Sequence, residues 1–263
     1  MERNIRNMEI TISKEERIKS IDKVLDLVEF LSANEQEIGI SEISKKLNIG
    51  LSTTHRILTT LKSRGYINQN EQTAKYRLGI KLFELGCAVQ NTAQLVEIAK
   101  SYLRQLSKIT NETLNIAVLE DKEVIYLDTI NSPEILRTEI RPGTRTPAHC
   151  TALGKALLAS LSDWEFKNLY KNDEPLSSLT SNSISSLEEL KKQLKKIKEQ
   201  GYAVDREEYK IGINCIGVPV FGRNGEAIAA ISITGPASRF NLSEMRKVRS
   251  KLISTAKEIS NQL

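Results

Sequence analysis

A chain of 263 residues, 40% hydrophobic and 27% charged, has the make-up of a folded protein with room for two cores, which excludes fibrous and wholly disordered molecules. Its net charge of +5 is unevenly placed: residues 1–42 hold six Lys/Arg against ten Asp/Glu, and residues 43–78 hold seven against one. Three scattered cysteines with no CxxC pair, and only two histidines, argue against a disulfide framework, a structural zinc site and a His-rich metal centre.

Residues 1–17 read as a polar N-terminal extension without the apolar core of a secretory signal, and no apolar run approaches the ~20 residues of a membrane helix. A cytoplasmic protein with no membrane partner is the expectation. Ile21, Val24, Leu25, Val28 and Leu31 follow helical spacing and predict a first helix over 18–32. Ser41 is expected to cap a short second helix carrying Ile43 and Leu47, which Asn48 and Gly50 then break. A third helix is predicted from Ser52 to Gly65, and Tyr66–Gln69 with Lys75–Leu78 read as a hairpin. That order is a winged helix-turn-helix over 18–78.

On the third helix, Thr54, Ile57, Leu58 and Leu61 fall on one side. Ser52, His55, Arg56, Thr59 and Ser63 fall roughly opposite, and no acid occurs between Ile43 and Asn70. Arginine pairs bidentately with guanine, and small hydroxyls reach bases or phosphates, so this side suits a DNA major groove. Ser52, Thr53, His55 and Arg56 are the candidates for base readout, and Thr59 for a base or a phosphate. Lys45, Lys46, Lys75 and Arg77 are assigned to phosphates, where charge matters and sequence does not. A winged helix used only for protein contact is the rival reading.

Residues 79–95 read as a helical linker whose apolar side needs a partner, followed by a helix near 95–109. From Thr113 the pattern becomes short alternating runs: TLNIAVLE, EVIYLDTI and ILRTEI as strands, with Asp121-Lys122 as a turn. A helix over 151–161, a Ser-rich loop over 177–186 and a charged helix over 187–200 follow. GINCIGVPVF and GEAIAAISIT form a strand pair around Arg223-Asn224-Gly225, and a last helix runs from Ser243. The fold class is therefore α+β with a mostly antiparallel sheet over 96–263.

SIDKVLDLVEFL with ISEISKKLNIGLSTTHRILTTLKSRGYI, then YRLGIKLFELG, RPGTRTPAHCTALGKALLA and GYAVDREEYKIGINCIGVPVFGRNGEAIAAISITGP, resemble the IclR family of bacterial transcription regulators in order and spacing. The resemblance spans nearly all of residues 18–263. It implies a linker that takes part in dimerisation and a GAF- or profilin-like effector domain. It also implies a dimer or tetramer on a palindromic double-stranded operator, answering a small metabolite such as a carboxylic, keto or aromatic acid.

The same resemblance places effector contacts at Ala152, Leu153, Asp205, Cys215, Ser232 and Thr234. Helix N-termini favour anions, so the amides around Ala152, Leu153 and Gly154 suit a carboxylate. Ser232 and Thr234, two apart on one strand, offer two hydroxyls on one side. Asp205 is read as an acceptor that repels the carboxylate end. The expectation is a ligand-responsive repressor, with an activator of the same type as the alternative. No phosphate loop, HExxH or nucleophile elbow occurs, so neither enzymatic activity nor a cofactor is expected. A catalytic Cys150 and a zinc site of Cys215, His149 and Asp205 are the variants kept open, as is a purely structural DNA binder.

Overall fold

The structure is a computed structural model that describes residues 18–34, 36–89, 92–171 and 175–263. The expected N-terminal extension, 1–17, lies outside the described residues. The chain divides into two compact units, 1–90 and 91–263. The division falls inside the span expected as a linker.

The first unit contains α1 (Lys19–Ser32), α2 (Ile40–Leu47), α3 (Leu51–Ser63), β1 (Ile67–Gln69), β2 (Tyr76–Leu78) and α4 (Lys81–Cys87). Leu27, Leu31, Ile43, Leu58, Leu61 and Ile67 form its core. The apolar side of α1 is shifted from the expected spacing only in part, since Val24, Val28 and Leu31 do pack into the core. Leu27 and Leu31 are buried, whereas Ile21 and Leu25 are half exposed. Two adjacent stripes of this helix are aliphatic, and periodicity cannot choose between them; contact with Ile43 and Leu58 does.

Ser41 does not cap α2. Ile38 is held extended by a bridge to Tyr76, so the helix begins one residue after Gly39 and Ser41 falls in its first turn. Asn48 ends α2 in the left-handed conformation, φ 53°, a region asparagine tolerates. β1 and β2 pair antiparallel, Ile67 opposite Leu78 and Gln69 opposite Tyr76, as the wing. Ile80, Phe83 and Val89 are exposed in and around α4, as are Ile18, Ile21 and Leu25 in and around α1.

The second unit is a six-stranded sheet of order β5-β4-β3-β8-β7-β6, each neighbouring pair antiparallel. Its strands are β3 (Thr113–Glu120), β4 (Glu123–Ile130), β5 (Arg145–Pro147), β6 (Ala203–Arg206), β7 (Ile213–Phe221) and β8 (Ala227–Pro236). Strand alternation gives the sheet two unlike faces. Leu114, Ile116, Ile216, Val218, Ile231 and Ile233 point to one face, which α5 (Thr92–Thr110) and α9 (Leu242–Ser260) cover. The intervening residues face α6 (Ala152–Leu158), with α7 (Asp163–Leu169) and α8 (Leu187–Gln200) packed around it.

The run 135–140, expected as a strand, is irregular. Pro133 and Pro142-Gly143 bracket it, and its backbone is met by side chains rather than a ladder: Thr113 donates to the Thr138 carbonyl at 3.1 Å. The edge position is taken by β5, three residues long and too short for periodicity to register. The four residues of β6 escape for the same reason. Helix α7 was legible in principle, since Ser162 and Glu165 form a reciprocal capping box. No helix among the described residues is long and apolar enough to cross a membrane.

Candidate functional site

Helix α3 buries Thr54, Leu58 and Leu61 and exposes Ser52, His55, Arg56, Thr59 and Ser63, with Thr53 half-buried. Thr54 is kept inside by donating to the Gly50 carbonyl at 3.2 Å, which also tightens the entry to the helix. Lys45 and Lys46 are exposed in the last turn of α2, and Lys75 is exposed at the start of the wing. Arg77 differs from them. Its guanidinium lies 3.7 Å from Glu37, so part of its charge is met within the unit. Glu37 also accepts from Asn70 at 2.8 Å, which ties the tip of the wing to the segment before α2.

The second unit encloses a cavity of about 630 Å³ on the α6 side of the sheet. Its lining includes Ala152, Leu153, Asp205, Cys215, Ser232 and Thr234, six of the seven positions expected from sequence. Cross-strand register assembles its floor. Asp205 pairs with Cys215, and Cys215 pairs with Thr234. One row along, Gly217 pairs with Ser232, and Ser232 pairs with Asn115. Gly217 has no side chain because α6 sits on it: a Cβ there would lie 2.8 Å from the backbone of Ala152. Glycine thus lets the first turn of the helix close the cavity against the strand.

Gly154 is a correction. It does not line the cavity. Its amide donates to the Thr151 hydroxyl at 3.1 Å as the helix cap, and a Cβ at this position would meet the Ala148 carbonyl oxygen at 2.2 Å. Close packing against the turn before α6, rather than ligand contact, explains this glycine.

Asn115, buried under the floor and absent from the sequence reading, organises the hydroxyls. Its amide donates to Ser232 at 3.3 Å and Thr234 at 3.1 Å, and its carbonyl accepts from Thr129 at 3.1 Å. Because the Ser232 oxygen accepts from Asn115, its own proton remains available for an oxygen atom elsewhere, whereas the Thr234 hydroxyl also hydrogen-bonds the sulfur of Cys215. The irregular segment 136–141 supplies the opposite wall, including Arg137, Thr138 and Arg141. Tyr126 and Thr146 complete it. The Thr138 hydroxyl is buried and has no hydrogen-bond partner among the described residues, and the buried Thr146 hydroxyl lies beside the Tyr126 phenol.

Asp205 is 1% exposed and accepts from the amides of Glu208 at 2.8 Å and Tyr209 at 3.4 Å. Burial, followed by the charge of Glu208, pushes its pKa up to about 7. Burial also raises the thiol of Cys215 well above its usual value and the phenol of Tyr126. Beside them, Lys155 is wholly buried and holds Glu208 at 2.6 Å.

His149 and Cys150 are both buried in a 3-10 turn. Burial holds His149 below its usual pKa, and its Nε2 donates to the Ser177 carbonyl at 2.9 Å. The Cys150 thiol is pushed up to about 12, which leaves no thiolate for nucleophilic chemistry near neutral pH. Among the described residues no group of three or more His, Cys, Asp or Glu is arranged to hold a metal ion, so the Cys215, His149 and Asp205 set does not form a zinc site.

Comparison with known proteins matches residues 20–71 to the IclR helix-turn-helix domain and residues 87–261 to the C-terminal domain of the bacterial transcriptional regulator IclR. The chain is 38% identical over 246 residues to the HTH-type transcriptional regulator KdgR of Dickeya chrysanthemi, covering 94% of this chain and 80% of that one. It is 30% identical to the transcriptional repressor IclR of Escherichia coli (strain K12), covering 93% and 89%. The crystal structure of IclR from Thermotoga maritima superposes with a TM-score of 0.78 at 31% identity, over 94% of this chain and 99% of that one.

Proposed function

Because this chain belongs to the IclR family of bacterial transcriptional regulators, whose named members are regulators and not enzymes, we propose that it is a cytoplasmic repressor released from its operator by a small hydroxylated carboxylic or keto acid. DNA contact is assigned to Ser52, Thr53, His55, Arg56 and Thr59 for bases, and to Lys45, Lys46 and Lys75 for phosphates, with Arg77 the weakest contributor. The observation that carries this part is the acid-free, exposed side of α3.

The effector class rests on the cavity lining. Ser232 has a proton to donate, and Thr138 has a buried hydroxyl without a partner among the described residues. Buried polar groups are normally paired, so these hydroxyls favour a ligand that supplies several oxygens. Arg137, Arg141 and Lys210 around the mouth outnumber the acid Glu139 and favour an anion. The exposed aliphatic and aromatic side chains of α1 and α4 favour a homodimer, or a tetramer built from dimers. Occupancy of the cavity is proposed to reach the winged helices through residues 79–95, changing their fit to two half-sites.

Selection from a random duplex pool, followed by fluorescence anisotropy against a panel of carboxylic, hydroxy and keto acids, tests the reading. Release by polyhydroxylated acids at sub-millimolar concentration is expected. Binding that no acid alters overturns the sensor role, and tighter binding on effector addition selects the activator.

A further inference from the structure

We infer that Asp205 is a neutral acid that presents a hydrogen-bond donor to the cavity, so that an anionic effector enters together with one proton. The inference rests on the reading of the cavity as an effector site, and follows from counting the buried charges around it.

Three carboxyl groups are buried among the described residues of the second unit: Glu112 is paired with Arg239, and Asp205 and Glu208 lie beside the buried cation Lys155. Lys155 is committed to Glu208: Nζ reaches both carboxylate oxygens, and Gln193 supplies a further acceptor at 3.4 Å. Asp205 is left with the amides of its own turn, from Glu208 and Tyr209, and with the weak S–H donor of Cys215, none of which carries a charge. Two amide hydrogen bonds on one oxygen do not replace the hydration of a full charge.

The other groups facing Asp205 supply no compensating charge. Cys215, on the paired strand, is pushed toward the neutral thiol, as are Cys150 and the phenols of Tyr126 and Tyr209. His149 is held toward the neutral ring. Arg137, Arg141 and Lys210, with the acid Glu139 between them, stand on the exposed rim of the cavity, where water screens them. Protonated, Asp205 brings the buried set to zero net charge and gains an O–H donor. Ionised, it adds an unpaired charge and repels a carboxylate ligand. The sequence reading of Asp205 as an acceptor that repels the acid end is thereby reversed.

The full-length protein tests this in two measurements. Infrared difference spectra between wild type and Asp205→Asn are recorded from pH 5 to pH 9. A neutral carboxylic acid band that is present at pH 6, lost by pH 9 and missing in the variant is expected. An ionised Asp205 carboxylate already present at pH 5 to 6 overturns the inference, whatever the ligand.

The second measurement uses D-gluconate as probe, a hydroxylated carboxylate, with affinity read by calorimetry. Wild-type affinity is expected to fall about tenfold per pH unit above neutrality, while Asp205→Asn binds with little pH dependence, because its amide also donates. A pH-independent wild type, or an Asp205→Asn variant that loses binding as fully as Asp205→Ala, overturns the donor role. Failure of gluconate to bind at any pH counts against the proposed effector class, while the infrared result still decides the state of Asp205.

Discussion

Lys155 places its Nζ 2.6 Å from a carboxylate oxygen of Glu208, with the lysine side chain wholly out of solvent and the glutamate 9% exposed. A buried pair of this kind is fragile to removal of one partner, because the other is left charged in a poorly solvated site. Lys155→Met is expected to destabilise the protein by about 3–5 kcal/mol. Adding Glu208→Leu to that variant should recover a large part of the loss. Guanidinium unfolding of the two singles and the double measures the coupling; strictly additive losses would show that the pair does not act as a unit.

Asp205 should make stability fall with rising pH. Its ordinary value, 3.8, stands for the unfolded chain, and in the folded protein it lies near 7. The folded state therefore binds more protons across that window, so the contribution is complete below the lower value and lost as pH climbs through the upper one. The slope limit is about 1.4 kcal/mol per pH unit. Asp205→Asn is expected to be less pH-sensitive than wild type between pH 5 and 8 in urea unfolding. Parallel stability curves would refute the assignment.

Gly217 holds α6 against the sheet. A methyl group there would lie 2.8–3.0 Å from the backbone of Ala152 and Leu153, and neither can rotate away. Gly217→Ala should cost about 1–3 kcal/mol and blunt the response to effector. Affinity of the effector-free protein for DNA should be unchanged. An unaltered dose response, measured by anisotropy, would show that the fit of α6 to β7 does not shape the cavity.

Thr138→Val separates folding from binding. It removes a buried hydroxyl that has no partner among the described residues, so the ligand-free variant should be as stable as wild type or more so. Effector affinity should fall severalfold if that hydroxyl meets a ligand oxygen. Calorimetry with and without effector distinguishes this from a packing defect, which would lower both quantities.

Arg56→Ala should reduce binding to the selected operator far more than binding to random duplex. The Lys45→Ala/Lys46→Ala pair should weaken both alike and lower the salt slope by about two. Because Arg77 already lies near Glu37, Arg77→Ala should alter the salt slope less than Lys75→Ala. Equal losses on both duplexes for Arg56→Ala would place it on the backbone rather than on a base.

Much of the architecture was readable along the chain because it depends on short-range periodicity. The spacing of Leu58 and Leu61 against Arg56 and Thr59 is enough to orient α3. The alternation of Ile231 and Ile233 with Ser232 and Thr234 is enough to place two hydroxyls on one face. Periodicity identifies a face but not what covers it. For that reason Ile21 and Leu25 share the helical spacing of α1 without joining its core, and segment 135–140 alternates like a strand although β5 holds the sheet edge.

The chemistry of the cavity belongs to the tertiary structure. Asn115 meets Ser232 and Thr234 across more than a hundred residues, and Lys155 reaches Glu208 across 53. Gly154 packs on Ala148, and Gly217 packs on Ala152. A sequence supplies the donors, acceptors and charges, whereas their protonation and pairing depend on burial and distance, which exist only once strands far apart in the chain lie side by side.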